Sequence, residues 1–296
     1  CACCAFNHPS KPCTGRHSTM VAPSVAQGKV IPLGAAAARQ HSTAFLTKAT
    51  ALNLALLILN AEHQQQRPSV VAFDHLWDSS SLRVCADGAA NRLHDSLSAS
   101  ARGKMLPDMI GGDLDSIRPE VADFYSSAGV ELAREGEQDS NDFGKCLRWI
   151  EQHEGARSSE LSVVALGAFG GRLDQQMANL NMAYTHSAFA DFYLLSEHSI
   201  AFVLQPGSHV IEPNPEAEDG TCGLVPLGGR CEGVRTSGLR WDLDGERPLE
   251  FGSLISSSNE LVAPRITIET QSPLLWTAGI ARSCGEAGGW RKSADS

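Results

Sequence analysis

The chain has 296 residues, a net charge of −10 and an ordinary globular composition, with 42% hydrophobic and 20% charged residues. An acidic chain without a basic stripe argues against a nucleic-acid partner, and no apolar run reaches the roughly 18 residues that a membrane span needs. The cysteines number nine, an odd number, and those beyond the N-terminus are scattered, which indicates a reduced intracellular protein that we expect to be cytoplasmic.

The first 48 residues look separable from the rest of the chain. They combine four cysteines with Pro, Ser and His, and no paired Cys-x-x-Cys spacing supports a metal site there. A targeting segment and an upstream artefact ending before Met20 stay open as alternatives. We predict a disordered leader over 1–48 and a disordered tail over 282–296.

From residue 49, apolar strands alternate with helical patterns, which is typical of a parallel sheet with crossover helices. The predicted strands lie at 52–60, 82–86, 107–110, 129–132, 161–166, 192–195 and 200–204. The predicted helices lie at 87–97, from 117 with Ser116 as a cap and Pro119 in the first turn, and from 142. We therefore predict an α/β fold, with a Rossmann-like nucleotide-binding domain over 49–205.

Two carboxylates follow the strand that runs into Gly111 and Gly112. In extended geometry Asp113 and Asp115 would face one way, and they would repel each other unless a cation lay between them. Mg²⁺ prefers such carboxylates together with phosphate oxygens, and the two glycines would let a phosphate approach the backbone. An Asp-rich turn closed by a helix cap stays open as the alternative.

Two more polar clusters show the same arrangement of strand end, polar residues and helix. Asp87 and Asn91 follow the strand at 82–86 and are four residues apart, so they share a helical face. Asp142 and Lys145 lie at another predicted helix N-terminus, which is a favourable place for phosphate. A helix cap for Asp87 and a surface ion pair for Asp142 are the simpler interpretations.

The fourth cluster is a glycine-rich turn at 167–171, followed by Arg172 and Asp174. Such a turn between strand and helix can cradle phosphate, and Arg172 can bind phosphate oxygens or pair with Asp174. Apolar residues at helical spacing then predict a core-facing stripe, which consists of Leu173, Met177, Leu180 and Tyr184.

From about residue 205, short alternating runs with Pro and Gly replace the long helices. Strands are predicted at 208–211, 222–226, 233–236, 249–255 and 265–270. Short strands with turn signals at regular spacing predict an all-β sandwich domain over 206–281. Trp241, beside glycine and charged residues, is the surface candidate there, whereas Trp276 is more typical of the core.

These clusters and the β half together resemble the eukaryotic thiamine pyrophosphokinases (thiamine diphosphokinases). The motifs that carry the resemblance run from the α/β half into the β half: DGAANR (87–92), GDLDSIRPEV (112–121), QD (138–139), DF (142–143), KCL (145–147), GRLDQ (171–175), CGLVP (222–226), GLRW (238–241), SN (258–259) and PLLWT (273–277). The resemblance covers about residues 54–280. It implies a homodimer with composite active sites that transfers the pyrophosphoryl group of ATP to the thiamine hydroxyl, giving thiamine diphosphate and AMP.

The resemblance also implies roles for single residues. Mg²⁺ would be held by Asp113, Asp115 and Asp142. The triphosphate and the reacting hydroxyl would be lined by Asp87, Asn91, Gln138, Lys145, Gly171, Arg172 and Asp174. Thiamine would be held by Trp241, Ser237, Ser258 and Asn259. Phosphoryl-type transfer needs positioning and charge neutralisation, and these residue types supply both.

The chain departs from the family pattern at Asn141 and Gln175, where threonine and histidine are expected. A haloacid-dehalogenase-type phosphatase also uses Asp-x-Asp, but its first Asp directly follows an apolar strand, and here two glycines intervene. A Mg²⁺-dependent pyrophosphokinase acting on another alcohol and a non-catalytic thiamine- or nucleotide-binding protein stay open as alternatives.

Overall fold

The computed structural model describes residues 37–61, 71–135, 141–186, 188–283, 285–288 and 290; most of the predicted leader and the predicted ligand Gln138 lie outside these ranges. The strands are β1 (Arg39–Ser42), β2 (Asn53–Ile58), β3 (Leu82–Ala86), β4 (Met109–Gly112), β5 (Glu131–Arg134), β6 (Leu161–Leu166), β7 (Asp191–Leu195), β8 (Ser199–Leu204), β9 (Gly207–Glu212), β10 (Glu218–Pro226), β11 (Arg235–Ser237), β12 (Ser256–Glu260), β13 (Ile266–Thr270) and β14 (Leu274–Ile280). The helices are α1 (Phe73–Ser79), α2 (Asp87–Ser96), α3 (Ala99–Arg102), α4 (Pro119–Ser127), α5 (Asp142–Glu154) and α6 (Leu173–Thr185). None of the helices in the described ranges has the length and apolar character of a membrane span.

A ten-stranded sheet in the order β12-β10-β14-β8-β7-β6-β2-β3-β4-β5 forms the framework. The neighbouring strands β7, β6, β2, β3, β4 and β5 are parallel. Their continuous apolar sequences fit strands that are covered on both faces. The remaining strands, β8, β14, β10 and β12, pair in antiparallel fashion. The prediction of an α/β fold with a Rossmann-like parallel sheet is confirmed.

The β-rich C-terminal part contributes to two sheets. Strands β9, β13 and β11 form a four-stranded sheet with β1, whereas β10, β12 and β14 extend the large sheet. Because β8 pairs with β14, the domain boundary predicted near residue 205 falls within a shared sheet. The strand predicted at 249–255 is not continuous, since Leu249 makes only isolated bridges and Gly252 turns the chain with a φ of 86°.

Strand β1 lies inside the predicted leader, so the prediction of disorder is wrong for this stretch. It pairs in parallel with β9, and the Nε2 of His41 lies 2.9 Å from the Nδ1 of His209 on that strand. The Nδ1 of His41 lies 3.2 Å from the Asp191 carboxylate on β7. Phe45 and Leu46, just after β1, are fully buried in the core. This part of the leader is therefore integral to the fold.

Helix α6 does not turn its whole predicted stripe toward the core. Leu173 is 68% exposed and Met177 is 52% exposed, whereas Asn179 and Ala183 are buried. The amide of Asn179 donates a 2.8 Å hydrogen bond to the carbonyl of Ala168, which fixes the rotation of the helix. The stripe prediction is therefore wrong for its first two members.

Two further predictions need correction. The N-cap of α4 is Arg118, two residues after the predicted cap Ser116, because the backbone at 116–118 is held by other contacts described below.

The predicted disordered tail contains Trp290, which is buried. A β-carbon at Gly220 would lie 2.7 Å from the side chain of Trp290.

A buried carboxyl group fastens the segment after β1 to the β half. Glu218 at the start of β10 is 1% exposed, and its Oε1 accepts hydrogen bonds from the Thr43 hydroxyl and from the Asn214 backbone N–H. Burial raises the pKa of Glu218 to about 7, although both hydrogen bonds act in the opposite direction.

We predict that Glu218→Gln removes a pH-dependent loss of stability. A carboxyl whose pKa is raised in the folded state holds more protons when folded than when unfolded, so stability falls as pH rises from about 4.5 to about 7. Relative to the wild type, the variant should gain roughly 1–3 kcal/mol in free energy of unfolding over this pH window. Urea unfolding at pH 5 and pH 8 measures it, and a constant difference between the two proteins would contradict the prediction.

Candidate active site

Three carboxylates meet at the carboxyl ends of neighbouring strands. Asp87 is the first residue of α2 directly after β3, Asp113 directly follows β4, and Asp142 is the first residue of α5. Because β3 and β4 are parallel neighbours, their carboxyl ends lie side by side. One oxygen from each of the three carboxylates lies within 4.8 Å of the other two. We call Asp87, Asp113 and Asp142 the carboxylate cluster.

The last residue of β4 must be glycine for this cluster to form. A β-carbon at Gly112 would lie 2.7 Å from the Cβ of Asp87 and 2.9 Å from the Oδ1 of Asp142. Contacts this short do not occur, so any larger residue would push the two acids apart. The glycine that the sequence places before Asp113 therefore allows the carboxylates to converge.

The three acids differ in their surroundings. Asp87 is fully buried; its Oδ2 accepts a 3.1 Å hydrogen bond from the Ser116 N–H, while no donor in the described residues reaches its Oδ1. Burial raises the pKa of Asp87. A hydrogen bond from the backbone N–H of Asp115 lowers the pKa of the Asp113 carboxyl, which is half exposed.

Lys145 is the cation of this site. Its ammonium lies 3.2 Å from the Oδ1 of Asp142 and 3.9 Å from the Oδ2 of Asp113, and the side chain is only 6% exposed. With one ammonium against three carboxylates, the formal charge of the group is −2, which one divalent cation balances. The unpartnered, buried Oδ1 of Asp87 is the kind of hard oxygen ligand that Mg²⁺ prefers, so these residues fit such an ion.

Asp115 is not part of the carboxylate cluster. The residue before it, Leu114, has a φ of 60°, which breaks the extended geometry that would have aligned Asp113 and Asp115 on one face. Asp115 is exposed, and its Oδ1 accepts a 2.9 Å hydrogen bond from the Ser116 hydroxyl. Asp87, and not Asp115, lies beside Asp113 and Asp142, because β3 is the neighbour of β4.

The loop that carries Asp113 is tied down by residues outside the cluster. The amide of Asn91 donates to the carbonyl of Ser116 at 2.8 Å and accepts from the Arg118 N–H at 3.0 Å. Arg134 at the end of β5 donates to the carbonyl of Asp113 at 3.1 Å. Asn91, a predicted phosphate ligand, thus positions the loop, and Arg134 is a positioning residue that the sequence did not single out.

The glycine-rich turn before α6 has the predicted local geometry. Gly170 and Gly171 have φ values of 107° and 68°, and a β-carbon at either position would meet no atom within 4 Å. Arg172 and Asp174 form an exposed ion pair with an N–O distance of 2.5 Å. The structure therefore contains the ion pair at the helix start, which was the alternative interpretation of Arg172 and Asp174.

Trp241 is an exposed tryptophan on a well-fixed loop. Its indole is 55% exposed, and the Arg240 guanidinium lies 5.3 Å from the ring centroid. The side chain of Asn259, itself 2% exposed, accepts from the Trp241 N–H at 3.2 Å and donates to the Trp241 carbonyl at 2.9 Å. Asn259 therefore holds the Trp241 backbone in place. Ser237, shortly before Trp241 in the sequence, and Ser258, next to Asn259, are both exposed.

Comparison with known proteins assigns this chain to a family. Residues 73–193 match the family described as "Thiamin pyrophosphokinase, catalytic domain", and residues 208–275 match "Thiamin pyrophosphokinase, vitamin B1 binding domain". "Thiamine pyrophosphokinase 1" of Oryza sativa subsp. japonica is 39% identical over 215 residues, which cover 69% of this chain and 81% of that protein. The chain belongs to the thiamine pyrophosphokinase family. The resemblance seen in the sequence motifs is thereby confirmed.

Other members show that the likeness extends over nearly the whole described fold. "Thiamine pyrophosphokinase 1" of Arabidopsis thaliana is 35% identical over 257 residues, covering 82% of this chain and 94% of that protein. The crystal structure of yeast thiamin pyrophosphokinase superposes with a TM-score of 0.72 at 27% identity, over 85% of this chain and 95% of that one. The carboxylate cluster lies within the catalytic-domain match, and Trp241 lies within the vitamin B1 binding-domain match.

We predict that Asp87→Asn, Asp113→Asn and Asp142→Asn each weaken Mn²⁺ binding at least about tenfold, since loss of one charged oxygen ligand costs about 1.4 kcal/mol or more. Asp115→Asn, on the same loop, is the matched control and should stay within about threefold of the wild type. Electron paramagnetic resonance titration with Mn²⁺ gives the affinities. A loss of affinity in Asp115→Asn together with unchanged binding in Asp87→Asn would restore the ligand set predicted from the sequence.

Proposed function

We propose that the chain transfers the pyrophosphoryl group of ATP to the hydroxyl of thiamine, giving thiamine diphosphate and AMP, with Mg²⁺ as its cofactor. The observation that carries this proposal is the carboxylate cluster with its buried ammonium, in a chain that belongs to the thiamine pyrophosphokinase family. The cytoplasmic location expected from the sequence stays a prediction.

The carboxylate cluster would hold the metal. Asp87, Asp113 and Asp142 would be its protein ligands, and Asp115 would remain on the loop outside them. When bound, Mg²⁺ supplies charge neutralisation and a fixed geometry for phosphate oxygens. Gly112 keeps the ligands together, and Asn91 and Arg134 hold the backbone of their loop.

The chemistry needs little covalent help from the protein. The thiamine hydroxyl oxygen forms a bond to the β-phosphorus of ATP, the bond between that phosphorus and the α,β-bridging oxygen breaks, and the hydroxyl releases its proton. Because negative charge spreads over the phosphate oxygens during transfer, fixed cations nearby lower the barrier. Lys145 is buried among the acids and would serve this role, and Arg172 would join by exchanging Asp174 for a phosphate oxygen.

Trp241 would bind thiamine. An indole face attracts both a flat aminopyrimidine and a cationic thiazolium, through stacking and the ring quadrupole. The hydrogen bonds from Asn259 fix the backbone from which this exposed ring projects. A rigid aromatic platform is typical of recognition sites for flat cationic ligands.

We infer that the protein acts as a homodimer in which each thiamine site takes residues from two chains. In the described residues, large apolar residues are exposed in two parts of the chain: on α6, with Leu173 and Met177, and in the β half, with Trp241, Phe251 and Val262. Exposed apolar groups in two parts of one chain suit a two-fold dimer. In such a dimer, α6 of each copy would cover the exposed β-half residues of the other copy. This pairing would bring Trp241 of one copy next to the glycine-rich turn before α6 of its partner.

We predict that the purified full-length protein, incubated with ATP, Mg²⁺ and thiamine, forms AMP and thiamine diphosphate in equal amounts. Pyrophosphoryl transfer breaks the α,β linkage of ATP, so AMP is the required second product. Chromatography with mass detection identifies both products, and Asp142→Asn is the inactive control. ADP with thiamine monophosphate would replace this proposal by a simple kinase, and thiamine binding without turnover would replace it by a binding protein.

We predict that Trp241→Ala raises the KM for thiamine about three- to thirty-fold, which corresponds to the roughly 0.5–2 kcal/mol of a stacked cationic contact. The KM for ATP should change by less than about twofold, because the phosphates bind in the α/β half. Steady-state kinetics and a melting curve measure this, with Phe251→Ala as a second exposed aromatic for comparison. An unchanged thiamine KM in a well-folded variant would remove Trp241 from the site.

The same variant tests whether the sites are composite. Mixing Asp142→Asn with Trp241→Ala, after unfolding and refolding together, should restore about a quarter of the wild-type rate at low thiamine, because half of the dimers then hold one intact site. Asp142→Asn mixed with Asp113→Asn is the matched control, since both defects fall in the same cluster and no intact site forms. A rate equal to the mean of the two separate variants would contradict a shared site.

A further inference from the structure

Two buried histidines link the two sheets of the fold, at a distance in sequence from every residue of the carboxylate cluster. His41 on β1 and His209 on β9 are each 3% exposed, and the Nε2 of His41 lies 2.9 Å from the Nδ1 of His209. The Nδ1 of His41 lies 3.2 Å from a carboxylate oxygen of Asp191 on β7. The Nε2 of His209 lies 2.7 Å from the backbone carbonyl of Gln205. We call His41 and His209 the histidine pair.

The three contacts of the histidine pair need three protons. The Asp191 carboxylate and the Gln205 carbonyl only accept hydrogen bonds, so the ring nitrogen that faces each of them must carry a proton. The contact between the two rings needs a third proton, on one nitrogen or the other. Two neutral imidazole rings carry only two N–H groups in total. The pair therefore holds one extra proton, and one positive charge, when all three contacts are hydrogen bonds.

The surroundings place the extra proton on His41. Burial lowers the pKa of His209, which keeps that ring neutral with its one N–H directed at the Gln205 carbonyl. Both ring nitrogens of His41 then carry protons, and its Nε2–H donates to the unprotonated Nδ1 of His209. The positive ring faces the Asp191 carboxylate, and a buried charge is tolerated where it is paired and hydrogen-bonded in this way.

The neighbouring strands add no second buried charge to this arrangement. Arg39 on β1 lies 3.3 Å from the same Asp191 oxygen, but its side chain is 44% exposed and solvent screens it. Burial raises the pKa of Tyr193, two residues along β7, so this hydroxyl stays neutral. On β8, Phe202 places its ring centroid 5.0 Å from that of His41.

A cavity of about 40 Å³ borders the ring of His41 and extends to His186 at the end of α6. It has room for a water molecule, which is enough to exchange a proton with the solvent. The Nε2 of His186 lies 3.9 Å from a carboxylate oxygen of Glu151, so the charges of these two residues offset each other when His186 is protonated.

We propose that the histidine pair makes the docking of β1 depend on pH: the strand is held while the pair carries the extra proton and is released when the proton is lost. After loss of the proton, one of the three contacts sets two lone pairs against each other and stops being a hydrogen bond. Because the folded state binds the extra proton, docking is strongest at low pH and weakens as pH rises. Strand β1 has only four residues and lies at a sheet edge, where local opening is easiest.

Nuclear magnetic resonance of the full-length protein with ¹⁵N-labelled histidine tests the proton count. Spectra of His41→Gln and His209→Gln assign the two rings in the wild type. At pH 6 we expect two protonated nitrogens on His41 and one, the Nε2, on His209. A neutral His41 ring at pH 6 would overturn the proposal.

Hydrogen exchange at pH 6 and pH 9, corrected for the intrinsic effect of pH, tests the docking. Protection of residues 39–46 should fall at least about tenfold more than that of β6, since one hydrogen bond is lost. His41→Gln cannot carry the extra proton and should abolish this pH-dependent step. His75→Gln is the matched control and should keep it, because His75 holds the same segment through a 3.0 Å contact to the Phe45 carbonyl that a neutral ring supplies.

Asp191→Asn tests the proton count without removing a ring. The asparagine amide can donate to the Nδ1 of His41, so two neutral rings then satisfy all three contacts. We expect this variant to keep residues 39–46 protected at pH 9, and it decides the question if His41→Gln fails to fold. A step that survives in Asp191→Asn, or one that only Glu218→Gln removes, would overturn the proposal.

Discussion

Repulsion between acids that the sheet forces together is the constraint on which the catalytic half depends. Parallel pairing of β3 and β4 brings Asp87 beside Asp113, and α5 adds Asp142 from above the same edge. Lys145 offsets only part of this charge, so the arrangement favours a further cation. The repulsion between these carboxylates opposes folding. The cluster persists because buried apolar strands fix its backbone, as is usual where a scaffold holds a functional site.

The large sheet also joins the two halves of the chain. Strand β8 pairs with β7 on one side and with β14 on the other, so hydrogen bonds continue from the parallel strands into the β half. A flexible linker between the halves would allow them to move independently. Here the shared sheet fixes the orientation of the β half relative to the carboxylate cluster of the same chain. In the proposed dimer, a thiamine site that takes residues from both halves then depends on how the two chains meet.

Much of the fold could be predicted because its signals are local. The strands at 82–86 and 161–166 match the structure residue for residue, since each is a short apolar run closed by polar or glycine residues. The place of Asp87, instead of Asp115, in the carboxylate cluster could not be predicted from spacing alone, because it depends on the left-handed backbone of Leu114. The exposure of Met177 could not be predicted either, since periodicity shows which residues share a face but not what covers it. The sequence already singles out Asp87 after its strand, and comparing the ends of adjacent parallel strands is the signal that would have placed it in the carboxylate cluster.

Strand β1 sets a limit on how far the N-terminus can be shortened. It occupies one edge of the four-stranded sheet, where its backbone pairs with β9. A proteolytic cut or an expression start beyond residue 42 would uncover the backbone N–H and C=O groups of β9, and an uncovered edge is a template for intermolecular strand pairing. The same cut would remove His41, which contacts His209. It would also detach the fully buried Phe45 from the strand that precedes it. A maturation site, if the chain is processed, therefore belongs before Arg39.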